Sequence, residues 1–221
     1  VKMGKSTKEK LDAIVARILP LEDAEIAEQM SRSLRKRGIE ILSGVEISQL
    51  SSDAAGVTVQ LSDPADPRQI TAEKLLSAVG VVANVEGLGL EKLGVALRNG
   101  TIAADAAGRT NVAGLYAIGD VAGPPMLAHK AEHEGVRCVE AIAGHEPHIA
   151  MGPVPSCIFA TPQVASIGLT EEAALKKGLG VDIGRFGFRG NGKAVTIGET
   201  DGFVKVLFDR ASGRLVGAHM V

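Results

Sequence analysis

The chain has 221 residues, of which 45% are hydrophobic and 23% charged, with a net charge of −2. This composition supports one or two domains with real cores. It gives no electrostatic basis for binding nucleic acid or an anionic membrane, and no apolar run is long enough to span a bilayer.

In chain order, Pro20-Leu21-Glu22-Asp23 opens a helix whose Ile26, Met30 and Leu34 share one face. Acids at its start, Arg35-Lys36-Arg37 at its end and Gly38 beyond are start and stop signals. A strand over 39–42 follows. Helix, glycine and short apolar strand form the second half of a βαβ unit and imply a parallel sheet. "VEISQL" and "VTVQLS", joined by the turn-rich "SSDAAG", read as an antiparallel ribbon, and "KLLSAVG" reads as a buried strand ending at Gly80. Residues 84–102 are weakly patterned, with a short helix expected at 89–93.

"GLYAIGD" reads as another buried strand. Residues 126–143 read as a helix with Leu127, Ala131, Cys138 or Val139, and Ile142 on its apolar stripe, stopped by Gly144. "GHEPHIAMGPVP" reads as a linker, which places a boundary near 151. Beyond it, "SCIFA" and "VASIGL" flank Thr161-Pro162, and Thr170 starts a short helix that Gly178 ends. Strands are expected at 181–188, 193–199, 202–208 and 214–221, an antiparallel α+β arrangement.

The stretch with the most chemistry is "TNVAGLYAIGDVAGPPMLAHKAEHEG", residues 110–135. An aspartate preceded by glycine, at the end of a buried strand, lies where open α/β sheets bind ligands. Gly119 lets a ligand approach the backbone, and Asp120 offers two acceptor oxygens to sugar-like hydroxyls. The helix start Met126-Leu127-Ala128-His129 carries no acid, so its free N–H groups and positive dipole end stay open. Taken alone, Asp120 reads more readily as a turn or capping aspartate; the full 26-residue stretch reverses that preference. His129 and His133 have the i, i+4 spacing of metal ligands, but no HExxH glutamate or third ligand joins them, and no metal is expected. Cys138 and Cys157 fit neither a disulfide framework nor a CxxC motif and read as packed thiols in a reducing compartment.

The 110–135 stretch closely resembles the second flavin-binding segment of the dihydrolipoamide dehydrogenase family, in which "GD" followed by "PMLAHKA" is specific. "VPSCIFATPQVASIGLTEE" and "GETDGFVKVLFDRASGRLVGAHMV" resemble the start of that family's dimer-interface domain, and "ILPLEDAEIAEQMSRSLRKRGIEIL" resembles the later part of its NAD domain. The resemblance covers about residues 17–221. It implies an α/β fold: a partial FAD/NAD-binding parallel sheet with a β-meander, plus an antiparallel α+β dimer-interface domain. The implied domains are 1–83 (partial NAD-binding, with 1–16 unmatched), 84–150 (FAD-contacting) and 151–221 (interface).

By the same resemblance Gly119 and Asp120 meet the ribityl chain of FAD, and Met126, Leu127, Ala128 and His129 form the helix start beside the flavin. Gly80 and Val45 lie on the NAD side. The implied activity is oxidation of protein-bound dihydrolipoamide by NAD⁺ through a disulfide and FAD. The implied partners are a second copy and the lipoyl domains of 2-oxoacid dehydrogenase complexes or the glycine cleavage system, in the cytoplasm or, in a eukaryote, the mitochondrial matrix. Another flavin disulfide reductase, of mercuric or glutathione type, and a non-catalytic dimerisation or binding fragment are the alternative readings.

The family's two GxGxxG motifs and its CxxxxC redox pair have no counterpart here, and the catalytic HxxxxP region near the family's C-terminus is expected beyond Val221. Val81 stands where the family has arginine, and Ala83 where it has proline. No catalytic residue is assigned, and the chain alone is expected to be inactive. "KEKLDAIV" resembles the family's first flavin strand rather than anything preceding "RILPLED", so a discontinuity is expected near Val15-Ala16.

Overall fold

The computed structural model describes residues 17–54, 56–62, 68–149 and 152–221. The expected discontinuity near Val15-Ala16 lies outside the described residues. The chain divides into two compact units: one joins the stretch up to Val79 with Cys157–Val221, and the other is Gly80–Ser156.

In the first unit, helix α1 (Ala24–Lys36) starts where the sequence signals place it, with Asp23 as N-cap accepting a hydrogen bond from the Glu25 amide. Its buried face carries Ile26, Ala27 and Met30. Ile26 packs with Val164 and Val221, so residues far apart in sequence share one core. Strands β1 (Glu46–Asp53), β2 (Gly56–Ser62) and β3 (Arg68–Ala72) form an antiparallel meander. Its third strand was not legible in the sequence pattern.

The rest of this unit is a five-stranded sheet in the order β6-β7-β10-β9-β8, built from β6 (Ser156–Ile158), β7 (Val164–Gly168), β8 (Val181–Gly187), β9 (Phe203–Asp209) and β10 (Leu215–Met220). The pairs β7–β10, β10–β9 and β9–β8 are antiparallel. The short strands β4 (Leu97–Arg98) and β5 (Thr101–Ile102) belong to the second unit. Thr170 caps the short helix Glu171–Lys176 by accepting from the Ala173 amide, as expected of that residue type.

Residues 193–199 are not a strand. Gly192–Ile197 is a helix, capped by Asn191 accepting from the Ala194 amide and ended by Gly198 at φ +76°. Cap and stop outweigh the β-branched run Val195-Thr196-Ile197, because both satisfy backbone groups that the helix end would otherwise leave open.

The second unit has a core of Leu90, Val95, Ile102 and Ala117. In place of the expected helix at 89–93, successive amides bond back three residues, Lys92 to Gly89 and Leu93 to Leu90, as turns. A two-residue hairpin follows, β4 (Leu97–Arg98) with β5 (Thr101–Ile102), through Asn99 and Gly100 at φ +53° and +77°. Asn-Gly is the favoured pair for such a turn, because both central residues need positive φ. Helix α2 (Ala128–Ile142) is the only long helix described in this unit. Its stripe is narrower than expected: Cys138 is buried, but Val139 and Ile142 are 66% and 56% exposed.

The segments 39–42, 74–80 and 114–120 belong to no strand; the last makes one isolated antiparallel bridge, Tyr116 with Arg109. The pairings β1–β2, β2–β3, β4–β5, β7–β10, β10–β9 and β9–β8 are antiparallel, and the expected parallel sheet is not seen among the described residues. The physical reason is local. A parallel strand requires neighbours for its backbone donors and acceptors, and no strand among the described residues lies beside these segments. No described helix is long and apolar enough to cross a membrane.

Candidate functional site

Gly119, Asp120 and residues 126–129 lie on one continuous turn and helix start in the second unit. Ile118 is extended, and Gly119–Ala122 then forms a single 3₁₀ turn ended by Gly123 at φ +114°. Gly119 is buried and sits at φ +70°, where a Cβ would lie 3.1 Å from the Ala131 Cβ of α2. Glycine is therefore required twice over, by conformation and by close packing of the turn on the helix.

Asp120 is exposed, and its carboxylate accepts no hydrogen bond from the described residues. The chain then passes Pro124-Pro125 into α2. Leu127, the N-cap, offers no side-chain cap, and the first turn holds no acid. The Ala131 amide is the first to bond back, to Leu127 O at 3.1 Å. The amides before it are left open, with the positive end of the helix dipole behind them. Met126, Leu127 and His129 are half-buried and Ala128 is exposed. The His129 Nε2 lies 2.8 Å from the Pro155 carbonyl oxygen.

The sequence reading missed what holds this arrangement. Lys130 is 8% exposed; its Nζ donates to the Gly123 carbonyl at 3.0 Å and pairs with Glu134 Oε1 at 2.9 Å. The other Glu134 oxygen accepts from the Gly119 amide at 2.7 Å. Both ends of the turn are thereby tied to α2. One signal was available: Lys130 and Glu134 precede the buried Cys138 by eight and four residues, on its helical face.

A cavity of about 320 Å³ opens beside the turn, walled by Pro124, Pro125, Lys130, Glu134 and apolar residues such as Ala117 and Ile118. Asp120 and residues 126–129 are not among its walls. The exposed carboxylate and open amides thus stand outside this cavity.

Of the NAD-side residues, Gly80 is exposed at φ +117° in the second unit, and Val45 is half-buried just ahead of β1 in the first. Cys138 is buried and Cys157 exposed. They lie in different units, and the described residues assemble no cysteine pair. The described residues also hold no cluster of three or more metal-binding side chains.

The turn and helix start can therefore receive hydroxyl donors at a carboxylate and an electron-rich edge at backbone amides. They fit a flavin nucleotide, whose ribityl chain and ring edge present those two features.

Comparison with known proteins gives the family. The pyridine nucleotide-disulphide oxidoreductase family matches residues 10–135, and its dimerisation domain matches residues 154–221. The chain is 52% identical to a dihydrolipoyl dehydrogenase of Rhizobium etli, over 94% of this chain and 44% of the relative. It is also 52% identical to the Zymomonas mobilis protein of that name, over 92% and 44%. Among solved structures it is similar to LpdA of Mycobacterium tuberculosis, with TM-score 0.79 and 27% identity over 90% of this chain and 43% of that one. The chain thus spans under half the length of the curated relatives it matches.

Proposed function

The chain belongs to the pyridine nucleotide-disulphide oxidoreductase family, and from that premise we propose that it is the flavin-contacting and dimer-forming part of a dihydrolipoyl dehydrogenase. The observation that carries this reading is the pairing of an unpartnered, exposed Asp120 carboxylate with an uncapped, acid-free helix start, both on a turn tied to α2. Asp120 would hold ribityl hydroxyls of FAD, Gly119 would let the chain come close, and the amides at Ala128 and His129 would face the ring edge. FAD, when bound, supplies the two-electron relay between a dithiol and NAD⁺. Gly80 and Val45 are proposed for the NAD side on the resemblance described above.

The boundaries 1–83, 84–150 and 151–221 are proposed as the functional division, with 151–221 forming a homodimer. Lipoyl domains are the proposed partners of the whole protein, in the cytoplasm or mitochondrial matrix. These 221 residues contain no CxxxxC pair, so the redox step is not assigned to any residue of this chain.

Titration of the chain with FAD, followed by flavin fluorescence, tests the reading. Asp120→Ala removes a hydrogen bond to a charged acceptor, worth about 1.5–3 kcal/mol, and should weaken binding by about one to two decades. Asp120 is exposed, so the folded state should be unaffected. Equal affinity in both proteins, or no FAD uptake by either, overturns the assignment.

A further inference from the structure

We propose that Lys130 and Glu134 are positioning residues for the flavin, an ion pair on α2 that sets where the Asp120 carboxylate stands relative to the helix start. The proposal rests on the flavin reading above and deepens it. Lys130 and Glu134 are 8% and 18% exposed. A charge pair removed this far from water is costly unless its hydrogen bonds are well made. The pair is spent on backbone. Glu134 takes the amide of Gly119, the residue before Asp120, at 2.7 Å. Lys130 takes the carbonyl of Gly123, three residues after it, at 3.0 Å.

Only the Asp120 carbonyl is engaged within the turn, by the Gly123 amide at 3.2 Å, so the turn brings no further rigidity of its own to the side chain. The two flanking glycines, both at positive φ, give the segment the freedom that makes an external tie necessary. Gly119 and Gly135 bring the backbone close enough that an added Cβ would meet Ala131 at 3.1 Å and Ile118 at 3.3 Å, so the turn rests directly on the helix. The ion pair fixes the turn along that contact. Neither residue has to touch the flavin; both act through Asp120.

The test is a double-variant cycle on FAD affinity. Lys130→Met with Glu134→Leu removes both charges and keeps apolar bulk, the exchange that buried ion pairs tolerate best. The expected result is an unfolding midpoint close to that of the unaltered chain, faster hydrogen exchange at the Gly119 amide, and FAD binding weakened about tenfold. Asp120→Ala added to that background should cost much less than it costs alone, because residues acting through one another are not additive. Lys130→Arg, which can still reach both partners, should retain affinity.

If the apolar pair does not fold, Glu134→Asp keeps the charges and shortens the reach, and it should weaken FAD binding about threefold. Unchanged FAD affinity in the apolar pair or in Glu134→Asp, or a full additive cost of Asp120→Ala, overturns the positioning role and leaves the flavin reading standing. Absence of FAD binding by the unaltered chain defeats the flavin reading itself, and the positioning role with it.

Discussion

The two long helices among the described residues begin in opposite ways. Helix α1 starts at Asp23, which is 1% exposed and fully engaged. It caps the Glu25 amide, accepts from the Glu171 amide at 3.1 Å, and meets the buried Lys205 ammonium at 3.0 and 3.1 Å. Lys205 also bonds Glu25 and Glu171, each at 2.6 Å, so one lysine in the middle of β9 joins the starts of two helices. Helix α2 starts at Leu127 with no cap and no acid. The first start is used up by the fold, and the second is left open by it. A helix start whose capping carboxylate is fully engaged is architecture; one with open amides beside an exposed carboxylate is, on the proposed reading, a place for a ligand.

The largest expected effect lies at the closed start. Lys205→Met leaves Asp23 buried without its cation, and such losses cost about 3–5 kcal/mol. Chemical denaturation of the first unit should show a drop of that order, and a loss below about 1 kcal/mol would mean that the cluster is not what holds α1.

Acid should reach the same cluster next. The hydrogen bond from Arg185 leads in lowering the Glu25 carboxyl from 4.5 to about 2, opposed by burial and helped by Lys205. Burial raises the Asp23 carboxyl, but the Lys205 ammonium and two backbone amides outweigh it and hold it below its usual range. Groups depressed in the folded state stabilise it above their unfolded values and lose that contribution as pH falls. Unfolding measured against pH should therefore be level above about 4.5 and weaken toward about 2. Amide exchange in α1 should accelerate over that interval, and indifference to it would separate the cluster from the helix.

At the open start, Gly119→Ala puts a Cβ on a residue at φ +70° and 3.1 Å from Ala131. The left-handed conformation alone costs about 1–2 kcal/mol. The expected outcome is destabilisation of that size in the second unit; an unchanged melting midpoint would show that the turn moves freely on the helix.

How much of this was legible depended on whether the deciding interaction was local. Asp23 before Ile26, Thr170 before its short helix, and Gly38, Gly144 and Gly178 as stops could all be read from neighbours in sequence. The same was true of the acid-free start at Met126-Leu127-Ala128-His129. Lys205 was not legible: in "GFVKVLFD" it alternates like a solvent-facing strand residue, and its three carboxylates come from 34 and up to 182 residues away. Lys130 and Glu134 look like an ordinary surface pair of a helix until the turn they hold is placed beside them. The strands expected at 39–42, 74–80 and 114–120 failed for the complementary reason. Their apolar runs are real, but a strand is made by its neighbours, and those are not among the described residues.

The contrast between the two helix starts is tested most directly at Ala128, the exposed first residue of α2. Ala128→Asp places a negative charge where the dipole welcomes one, so without flavin it should stabilise the helix by about 0.3–1 kcal/mol. With flavin present the same carboxylate competes for the open amides and repels charge on the ring edge. FAD should then bind more weakly, and the bound flavin's reduction potential should fall by some tens of millivolts, since about 30 mV corresponds to 1.4 kcal/mol for two electrons. Ala128→Asn should lower the potential less. Opposite signs, a more stable helix and a lower flavin potential, are what the account predicts. A more stable helix with FAD affinity and potential unchanged would contradict it.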